Sequence, residues 1–319
     1  MIVTVNPNTA IDRTIFVPTF VINRTIRATS FAIGMGGKAA DASYILGELG
    51  IPNLALGFAA GQTGEQMDAM LRAKGVTTDF VWTAGETRHN VLIVCEDGSG
   101  QSTLANESLV VTQKDVDLLW EKYLTTLSFA SCIILGGSLP TGVQVDLYTT
   151  MVREASRRNI PVVFDASGAA LRAGLEGRPT IVKPNQFELG ELTSERIASI
   201  NDAFQVARKI QITYGSSLIV TLGEQGALAV LPDRSYFVPP LEVKVVSTAG
   251  AGDGVLAGLA VCLSRKQAWE EGLRLGFAAA AAVMMTPGTA DCHRSDVESL
   301  LTKVILLPYP FEEGNEHVS

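Results

Sequence analysis

The chain has 319 residues, of which 47% are hydrophobic and 18% are charged, against roughly 25% charged residues in an average protein. This composition predicts one large α/β domain, with an extensive core, that spans residues 1–319. The net charge of −8 argues against general binding to nucleic acid or to an anionic membrane. A small anionic substrate stays compatible with it, provided that basic residues cluster locally.

The cysteines and the apolar segments indicate a cytoplasmic protein. The four cysteines form no CxxC pair, as expected of reduced thiols, and only three histidines are present, which argues against a histidine-rich metal site. The first ten residues have neither the basic nor the apolar region of a signal peptide. The longest apolar run, 277–285, is far shorter than the roughly 20 residues of a membrane span.

Along most of the chain, short apolar stretches alternate with segments of helical periodicity. Such alternation is typical of a mostly parallel sheet with helices on both faces. The predicted strands are 2–5, 53–60, 131–137, 160–166, 179–185 and 216–223, and the predicted helices are 38–50, 64–73, 144–159, 201–215 and a buried one through 255–260.

Two segments, 12–33 and 88–106, interrupt this alternation. Both are rich in β-forming residues, and the second contains a glycine-rich hairpin turn at 97–100. We interpret them as a small sheet inserted into the main domain that forms a lid. An ordinary hairpin at the edge of the main sheet is the alternative.

The stretch "STAGAGDGVLAGLA" at 247–260 predicts an anion site at the start of a helix. The small residues Gly250, Ala251 and Gly252 expose backbone N–H groups at the positive end of that helix. Asp253 follows directly, ionised at its ordinary pKa. We interpret the loop as a phosphoryl-transfer centre, in which Asp253 accepts the proton of an attacking hydroxyl. A glycine-rich turn that permits close helix packing is the alternative.

Two other nucleotide-binding patterns are excluded or rejected. The Walker A pattern of P-loop enzymes is absent from the sequence. The stretch "GMGGKA" at 34–39 satisfies G-x-G-x-x-A, but the strand that follows it ends in "LGFAAG", without the acidic residue that a dinucleotide fold requires.

Four cations on the predicted lid and on one helix start could bind a substrate phosphate. Lys38 follows Gly37 at the start of the helix 38–50, Arg88 precedes a strand, and Arg24 and Arg27 lie in the first lid segment. Each of them alone is also typical of a solvated surface charge.

The stretches that follow two later strands predict the nucleotide side of the site. Asn185 and Glu188 are spaced either as a helix capping box or as groups that orient Mg²⁺-bound water and phosphates. Next comes "TLGEQGAL" at 221–228, where the glycines leave room for a nucleotide; a simple hairpin turn is the alternative.

Taken together, these motifs resemble the PfkB/ribokinase family of sugar kinases along nearly the whole chain. "TAGAGDGVLAGL" is similar to the C-terminal signature of that family and "GGKAADAS" to its N-terminal signature, and "NTAID", "TRHN", "GGSLPTG", "DASG", "KPNQFEL" and "TLGEQGAL" occur in the expected order. Of these six, "NTAID", "TRHN" and "GGSLPTG" are most similar to the 1-phosphofructokinase and tagatose-6-phosphate kinase branch.

The resemblance implies a ribokinase-like fold, the substrates ATP and a sugar phosphate, the cofactor Mg²⁺, and a homodimer formed through the lid. It also implies a role for each residue that matches a family motif. The implied catalytic residues are Asp253, Gly250, Ala251 and Gly252; the acceptor residues are Asp12, Gly37, Lys38, Asp41, Arg88 and Ser138; the ATP residues are Lys183, Asn185, Glu188, Thr221, Gly223, Glu224 and Gly226; and Asn185 and Glu188 serve Mg²⁺ through water.

This sequence departs from the family signatures at four positions: Thr9, Ala39, Asp41 and Gly254. Asp41 stands where the family usually has asparagine, and an ionised aspartate accepts hydrogen bonds but cannot donate them. It follows Lys38 by three residues, so we expect both on one helix face and expect Asp41 to tune the choice of acceptor. An acid that merely favours the helix dipole is the alternative.

The leading hypothesis is therefore an ATP-dependent kinase of a phosphorylated ketohexose, of the fructose 1-phosphate or tagatose 6-phosphate type. A family member that uses an unphosphorylated sugar or a nucleoside is a second hypothesis, which Lys38 and Arg88 disfavour. A non-catalytic sensor of sugar phosphates is a third, and the retained Asp253 disfavours it.

Overall fold

The computed structural model describes residues 1–310, so the last nine residues of the predicted domain lie outside the described part. Strands and helices alternate in it as the sequence predicts. The strands are β1 (Ile2–Asn6), β2 (Ala10–Val17), β3 (Ser30–Gly36), β4 (Asn53–Ala59), β5 (Thr77–Thr78), β6 (Val81–Trp82), β7 (Arg88–Cys95), β8 (Gly100–Leu104), β9 (Cys132–Gly136), β10 (Val162–Asp165), β11 (Ile181–Val182), β12 (Ser217–Thr221), β13 (Ala227–Val230), β14 (Ser235–Val238) and β15 (Leu307–Pro308).

Ten α-helices connect these strands within residues 1–310. They are α1 (Lys38–Glu48), α2 (Gly61–Ala73), α3 (Gln113–Thr126), α4 (Leu147–Arg157), α5 (Gly168–Leu175), α6 (Gln186–Thr193), α7 (Ile200–Tyr214), α8 (Ala251–Arg265), α9 (Trp269–Met284) and α10 (Arg294–Leu300).

The main sheet has eleven strands in the order β15-β14-β13-β12-β11-β10-β9-β1-β4-β5, and β6 also pairs with β4. The strands from β5 to β12 in this order are parallel, whereas β13, β14 and β15 extend the sheet in antiparallel pairing. The fold is thus the predicted α/β fold with a mostly parallel sheet. β11 is only two residues long, shorter than the predicted strand 179–185.

Helices cover both faces of the main sheet, as predicted. Because successive side chains of a strand point to opposite faces, Val3 and Val5 of β1 pack into a core with α3 to α7, whereas Ile2 packs into a second core with α1, α8, α9 and α10. A third, smaller core joins α2 to Ile11 of β2 and Met35 of β3.

The two segments that interrupt the alternation form a separate four-stranded sheet in the order β3-β2-β7-β8. In residues 1–310 these strands pair with one another and not with the main sheet, so the edge-hairpin interpretation is wrong. The sheet is also larger than predicted, since β2 begins at Ala10 and β3 ends at Gly36. That it moves as a lid stays a prediction.

The register of the small sheet gives its two faces different chemistry. Asp12 pairs with Gly34 on one side and with Asn90 on the other, and both Asp12 and Asn90 are buried. One residue further along the strands, the opposite face carries the exposed side chains of Ile33 and Leu104. A one-residue change of register would exchange the two sets.

Candidate active site

Most of the predicted site residues lie at the carboxyl ends of the parallel strands, where ligands bind in open α/β sheets. Asn6 ends β1, Asp165 ends β10, Lys183 directly follows β11 and Thr221 ends β12. The first turns of α1 and α8, which pack against each other, complete this edge of the sheet.

The predicted anion site is the start of α8. Gly250 is its N-cap residue, with φ of 80°, and a Cβ at this position would overlap the backbone of Ala290, so only glycine fits. The N–H groups of Ala251 and Asp253 already bond carbonyl oxygens of the same turn, whereas those of Gly250 and Gly252 bond no carbonyl of the described chain outside the helix. These two N–H groups are therefore the ones left for an anion.

Asp253 lies on the first turn of α8 and is 7% exposed. Burial raises the pKa of its carboxyl to about 7, the neighbouring Asp165 acts in the same direction, and Lys183 and Lys38 oppose the shift. Its pKa is thus close to the neutral range, where a general base works best. The sequence-based expectation of an ordinary aspartate pKa is wrong, because it ignores this burial.

Asp41 faces Asp253 rather than Lys38. It lies on the first turn of α1 and is 3% exposed, and Asp253 is the charged group that acts on it most strongly. Burial, followed by the charges of Asp253 and Asp12, raises the pKa of Asp41 well above its usual range. This shift favours the neutral acid, whereas the sequence analysis expects an ionised carboxylate that only accepts hydrogen bonds.

Lys38 belongs to a network of ion pairs on the nucleotide side. Its ammonium group contacts Asp165 Oδ1 and lies 2.8 Å from Glu188 Oε1, and Lys183 Nζ lies 2.6 Å from Asp165 Oδ2. The structure thus brings Lys38 together with Lys183, Asp165 and Glu188. It does not bring Lys38 next to Arg88, with which the sequence analysis grouped it.

The pKa shifts in this network show that the ion pairs outweigh burial. Asp165 is 1% exposed, and burial alone would raise its pKa, but Lys183 and Lys38 lower it below the usual value. Burial would likewise lower the pKa of Lys38, but Asp165 and Glu188 raise it. Asp165 and Lys38 therefore both keep their charges at neutral pH.

Asn185 and Glu188 form the capping box of α6. The Asn185 side chain accepts from the Glu188 N–H, and Glu188 Oε2 accepts from the Asn185 N–H, each at 2.9 Å. Asn185 also pairs with Thr221 in an isolated parallel bridge. The two stretches predicted for the nucleotide therefore lie side by side.

The stretch 221–228 is a hairpin, which is the simpler of its two interpretations. β12 and β13 pair in antiparallel register across a turn of 3₁₀-helix from Gly223 to Gln225. Glu224 is exposed, and Gly226 adopts φ of 94° against Val238. Binding of ATP at Thr221, Gly223, Glu224 and Gly226 stays a prediction.

The acceptor side combines Asp12, Asn90 and Arg88 with the loop after β1. Asp12 Oδ1 accepts from Asn90 Nδ2 at 2.8 Å; burial raises the pKa of Asp12 and lowers that of the half-buried Arg88. Asn8 Nδ2 donates to Ser138 Oγ at 2.9 Å. Gly37, with φ of 110°, packs against the buried side chain of Asn6.

Several buried polar atoms on this side have no hydrogen-bond partner among the described residues. Such atoms are costly unless a ligand or water pairs with them. They are both amide atoms of Asn6, Asn8 Oδ1, Asp41 Oδ1, Arg88 Nε and Asn90 Oδ1.

The sequence analysis missed Asn6, Asn8, Asn90 and Asp165 as site residues. Asn8, Asn90 and Asp165 stand inside the motifs "NTAID", "TRHN" and "DASG", so each motif contained the signal. Asn6 is marked only by its place at the end of the first strand. In contrast, the predicted cations Arg24 and Arg27 are exposed in the loop between β2 and β3.

Two further findings concern metals and membranes. Nowhere in residues 1–310 do three or more His, Cys, Asp or Glu side chains gather as they would to hold a metal ion. No helix of that part of the chain combines the length and the apolar character needed to cross a membrane.

Comparison with known proteins identifies the enzyme class. Residues 5–296 match the pfkB family of carbohydrate kinases. The chain is 30% identical to 1-phosphofructokinase of Bacillus subtilis (strain 168), over 88% of this chain and 92% of the relative. It is 29% identical to ATP-dependent 6-phosphofructokinase isozyme 2 of Escherichia coli (strain K12), over 91% and 94%.

A solved structure agrees with these similarities. The crystal structure of phosphofructokinase-2 from Escherichia coli in complex with substrates and products matches 95% of this chain and 98% of its own, with a TM-score of 0.87 and 28% identity. The fold and these similarities define a phosphotransferase whose acceptor is an alcohol group. The chain belongs to the pfkB family of carbohydrate kinases.

Proposed function

We propose that this kinase transfers the γ-phosphoryl group of ATP to a hydroxyl group of a phosphorylated ketohexose, of the fructose 1-phosphate or tagatose 6-phosphate type. The observation that carries the proposal is Arg88. Its half-buried guanidinium lies near the carboxyls of Asp12 and Asp41, and its Nε has no partner among the described residues. A guanidinium with free donors is suited to a phosphate.

Sugar hydroxyls would pair with the other free polar atoms of the acceptor side. Asp12 and Asn90 offer carboxylate and amide oxygens, and Asn8, Ser138 and Gly37 border the same space. Such a set binds a polyhydroxylated ligand through several directed hydrogen bonds. A hydroxyl of the acceptor would then face Asp253.

In the proposed reaction, Asp253 takes the proton of that hydroxyl as its oxygen attacks the γ-phosphorus. The bond between the γ-phosphorus and the bridging oxygen of ADP breaks as the new P–O bond forms. The N–H groups of Gly250 and Gly252 stabilise the negative charge on the transferred group. Lys183 adds a positive charge there, since its Nζ would lie 3.1 Å from a Cβ placed on Gly252.

ATP would lie along the side formed by Lys183, Asn185, Glu188 and the hairpin 221–228. Mg²⁺ usually binds through one or two protein groups, phosphates and several waters, and the oxygens of Asn185 and Glu188 fit such a water-mediated role. These two residues would hold the ion, which neutralises charge on the phosphates when bound. Their capping bonds and the Lys38 contact keep both side chains in place.

A coupled assay of ADP release tests the proposal. Wild-type protein is given ATP and, one at a time, fructose 1-phosphate, tagatose 6-phosphate, fructose 6-phosphate, fructose, ribose and adenosine, with Asp253→Asn as the matched inactive control. We expect turnover with a ketohexose phosphate. Turnover with only an unphosphorylated sugar or a nucleoside contradicts the acceptor class, and binding without turnover indicates a sensor.

We also propose that the chain works in the cytoplasm as a homodimer formed through the small sheet. The outer face of that sheet exposes Phe31 (67%), Ile33 (40%) and Leu104 (55%), and apolar side chains grouped on one exposed face favour an interaction surface. The four free cysteines suit a reducing compartment. Sedimentation of the wild type and of a Phe31→Asp variant tests the dimer: only the wild type is expected to sediment as two chains.

A further inference from the structure

Two carboxyl groups from distant parts of the sequence meet at the centre of the site. Asp41 and Asp253 each lie on the first turn of a helix, α1 and α8 respectively, and these two helices pack against each other. Both residues are more than nine-tenths buried, and the charge of Asp253 acts on the carboxyl of Asp41. Two neighbouring buried carboxyls repel each other when both are ionised, so the pair is most stable with one proton and one negative charge.

The surrounding charges determine which carboxyl holds that proton. Asp253 is near the ammonium groups of Lys183 and Lys38, which favour its ionised form. Asp41 has the carboxylate of Asp12 as a second acidic neighbour. The proton is therefore more stable on Asp41.

The remaining charged groups around the pair are consistent with this assignment. Asp165, at the end of β10, acts on Asp253 and is itself neutralised by two lysines. Arg88 of β7 interacts with both Asp41 and Asp12. Asp253 thus has two lysines beside it, whereas burial and the charges of Asp253 and Asp12 act on Asp41.

We propose that Asp41 is a positioning residue: as a neutral carboxylic acid it donates a hydrogen bond to the Asp253 carboxylate and orients that base toward the acceptor hydroxyl. The proposal rests on the proposed function, in which Asp253 is the base. Asp41 keeps its own proton throughout, because the proton of the acceptor moves to Asp253 and then to solvent after product release.

A neutral Asp41 offers one donor and a carbonyl acceptor, two functions that an asparagine amide also supplies. One oxygen donates to Asp253, while Oδ1, which has no partner among the described residues, can accept from a hydroxyl. The departure of this sequence from its family signature therefore preserves the donor and the acceptor. What it adds is sensitivity to pH, because at high pH Asp41 loses the proton that joins the pair.

The kinetic test compares Asp41→Asn with Asp41→Ala across pH 5 to 10, on the acceptor that the wild type turns over best. We expect the kcat of the wild type to fall on the alkaline side as the pair becomes doubly ionised. Asp41→Asn is expected to lose this alkaline fall and to retain most of the turnover. Asp41→Ala is expected to lose kcat by up to about 100-fold, the effect of a misplaced reacting group.

A purely structural role of Asp41 would change stability and not the shape of the pH profile. The proposal is overturned if Asp41→Asn keeps the alkaline fall of the wild type, or if Asp41→Asn loses as much kcat as Asp41→Ala. Thermal unfolding shows whether each variant folds; if Asp41→Ala does not, the Asp41→Asn profile and the spectroscopic test decide.

A spectroscopic test needs no substrate and so separates this proposal from the proposed function. Side-chain carboxyl signals of ¹³C-labelled aspartate are compared between the wild type and Asp41→Asn, which identifies the Asp41 signal. We expect it at the position of a protonated carboxyl at pH 7. A signal that titrates near pH 4, as an ordinary aspartate does, overturns the proposal even in a fully active kinase.

Discussion

The two halves of the site differ in how completely their polar groups are paired. On the nucleotide side, Lys38, Lys183, Asp165 and Glu188 neutralise one another through three contacts. On the acceptor side, polar atoms of Asn6, Asn8, Asp41, Arg88 and Asn90 are buried without partners in the described chain. The charged groups of the nucleotide side are thus paired within the protein, whereas the polar atoms of the acceptor side are left for a ligand.

This difference predicts what substitutions do on each side. A residue of the paired network supports the fold, and its removal leaves an opposite charge buried and unpaired. A residue of the unpaired half contributes little to the stability of the free protein. Its substitution is expected to affect mainly acceptor binding or the chemical step. Substitutions on the nucleotide side should therefore lower mainly stability, and substitutions on the acceptor side should change mainly the kinetics.

The largest expected effect is that of Asp253→Asn on turnover. The substitution preserves shape but removes the base, so kcat should fall by roughly 10²–10⁴-fold, with little change in the KM of either substrate. Stopped assays of ADP release with purified, folded variant measure the loss. A variant that turns over within a few-fold of the wild type would show that another group takes the proton.

The same residue predicts the acid side of the pH profile. Because burial raises the pKa of Asp253 to about 7, the base is protonated and inactive below that pH. The kcat should therefore fall about tenfold for each pH unit below this value. A kcat that stays constant down to pH 5 would contradict this prediction.

The next effect is that of Asp165→Asn on stability. The substitution leaves Lys38 and Lys183 without their shared carboxylate, a loss of about 3–5 kcal/mol in the free energy of unfolding for a broken buried pair. The matched control is Glu298→Gln, which breaks the exposed pair with Arg294 and should cost no more than about 1 kcal/mol. Urea denaturation at pH 7 measures both.

The sign of the pH dependence gives a second readout for Asp165. Its pKa is lowered in the folded state, so its stabilising contribution is present above the unfolded pKa of about 3.9. It is lost as the pH falls through the folded pKa. The difference in the free energy of unfolding between the wild type and Asp165→Asn should thus become smaller in acid. A difference that grows below pH 4 would exclude this explanation.

Local patterns predicted much of the fold and few of the contacts. The alternation of apolar strands and periodic helices predicted the parallel sheet, and the spacing of Asn185 and Glu188 predicted their capping box, because both depend on neighbours in sequence. The contact between Lys38 and Asp165 spans 127 residues. Nothing in the spacing of either residue indicates it, and so Lys38 was assigned to the acceptor.

The protonation of Asp41 was unpredictable for the same physical reason. Its pKa depends on burial and on Asp253 and Asp12, residues that only the folded chain brings near it. The antiparallel strands β13 to β15 were also not predicted as part of the main sheet. Short strands after a hairpin carry no signal that decides which sheet edge they join.

A smaller kinetic effect separates Arg88 from Lys38. Arg88→Ala should raise the KM of the acceptor by roughly 10- to 100-fold, as expected for a lost charge-assisted bond of about 1.5–3 kcal/mol, and leave the KM of ATP nearly constant. Lys38→Ala should instead raise the KM of ATP and lower stability, since its partners Asp165 and Glu188 lie on the nucleotide side. If both variants raise only the KM of the acceptor, the division of the site into two halves is wrong.

The last expected effect is that of Asp41→Asn on stability, and it depends on pH in a definite direction. The pKa of Asp41 is raised in the folded state, so the folded protein holds a proton that the unfolded chain releases above pH about 4. The stabilising contribution of this group is therefore full below the unfolded pKa and is lost as the pH rises toward the folded pKa.

Asparagine binds no proton in either state and removes this dependence. The variant should match the wild type near pH 4 and become more stable than it by at least about 1.4 kcal/mol, the free energy that corresponds to one pKa unit, by pH 8. Urea denaturation at both pH values measures the difference. Equal stability at pH 8, or a gain only in acid, would mean that Asp41 is ionised in the folded protein and that the acceptor half carries one more charge than we infer.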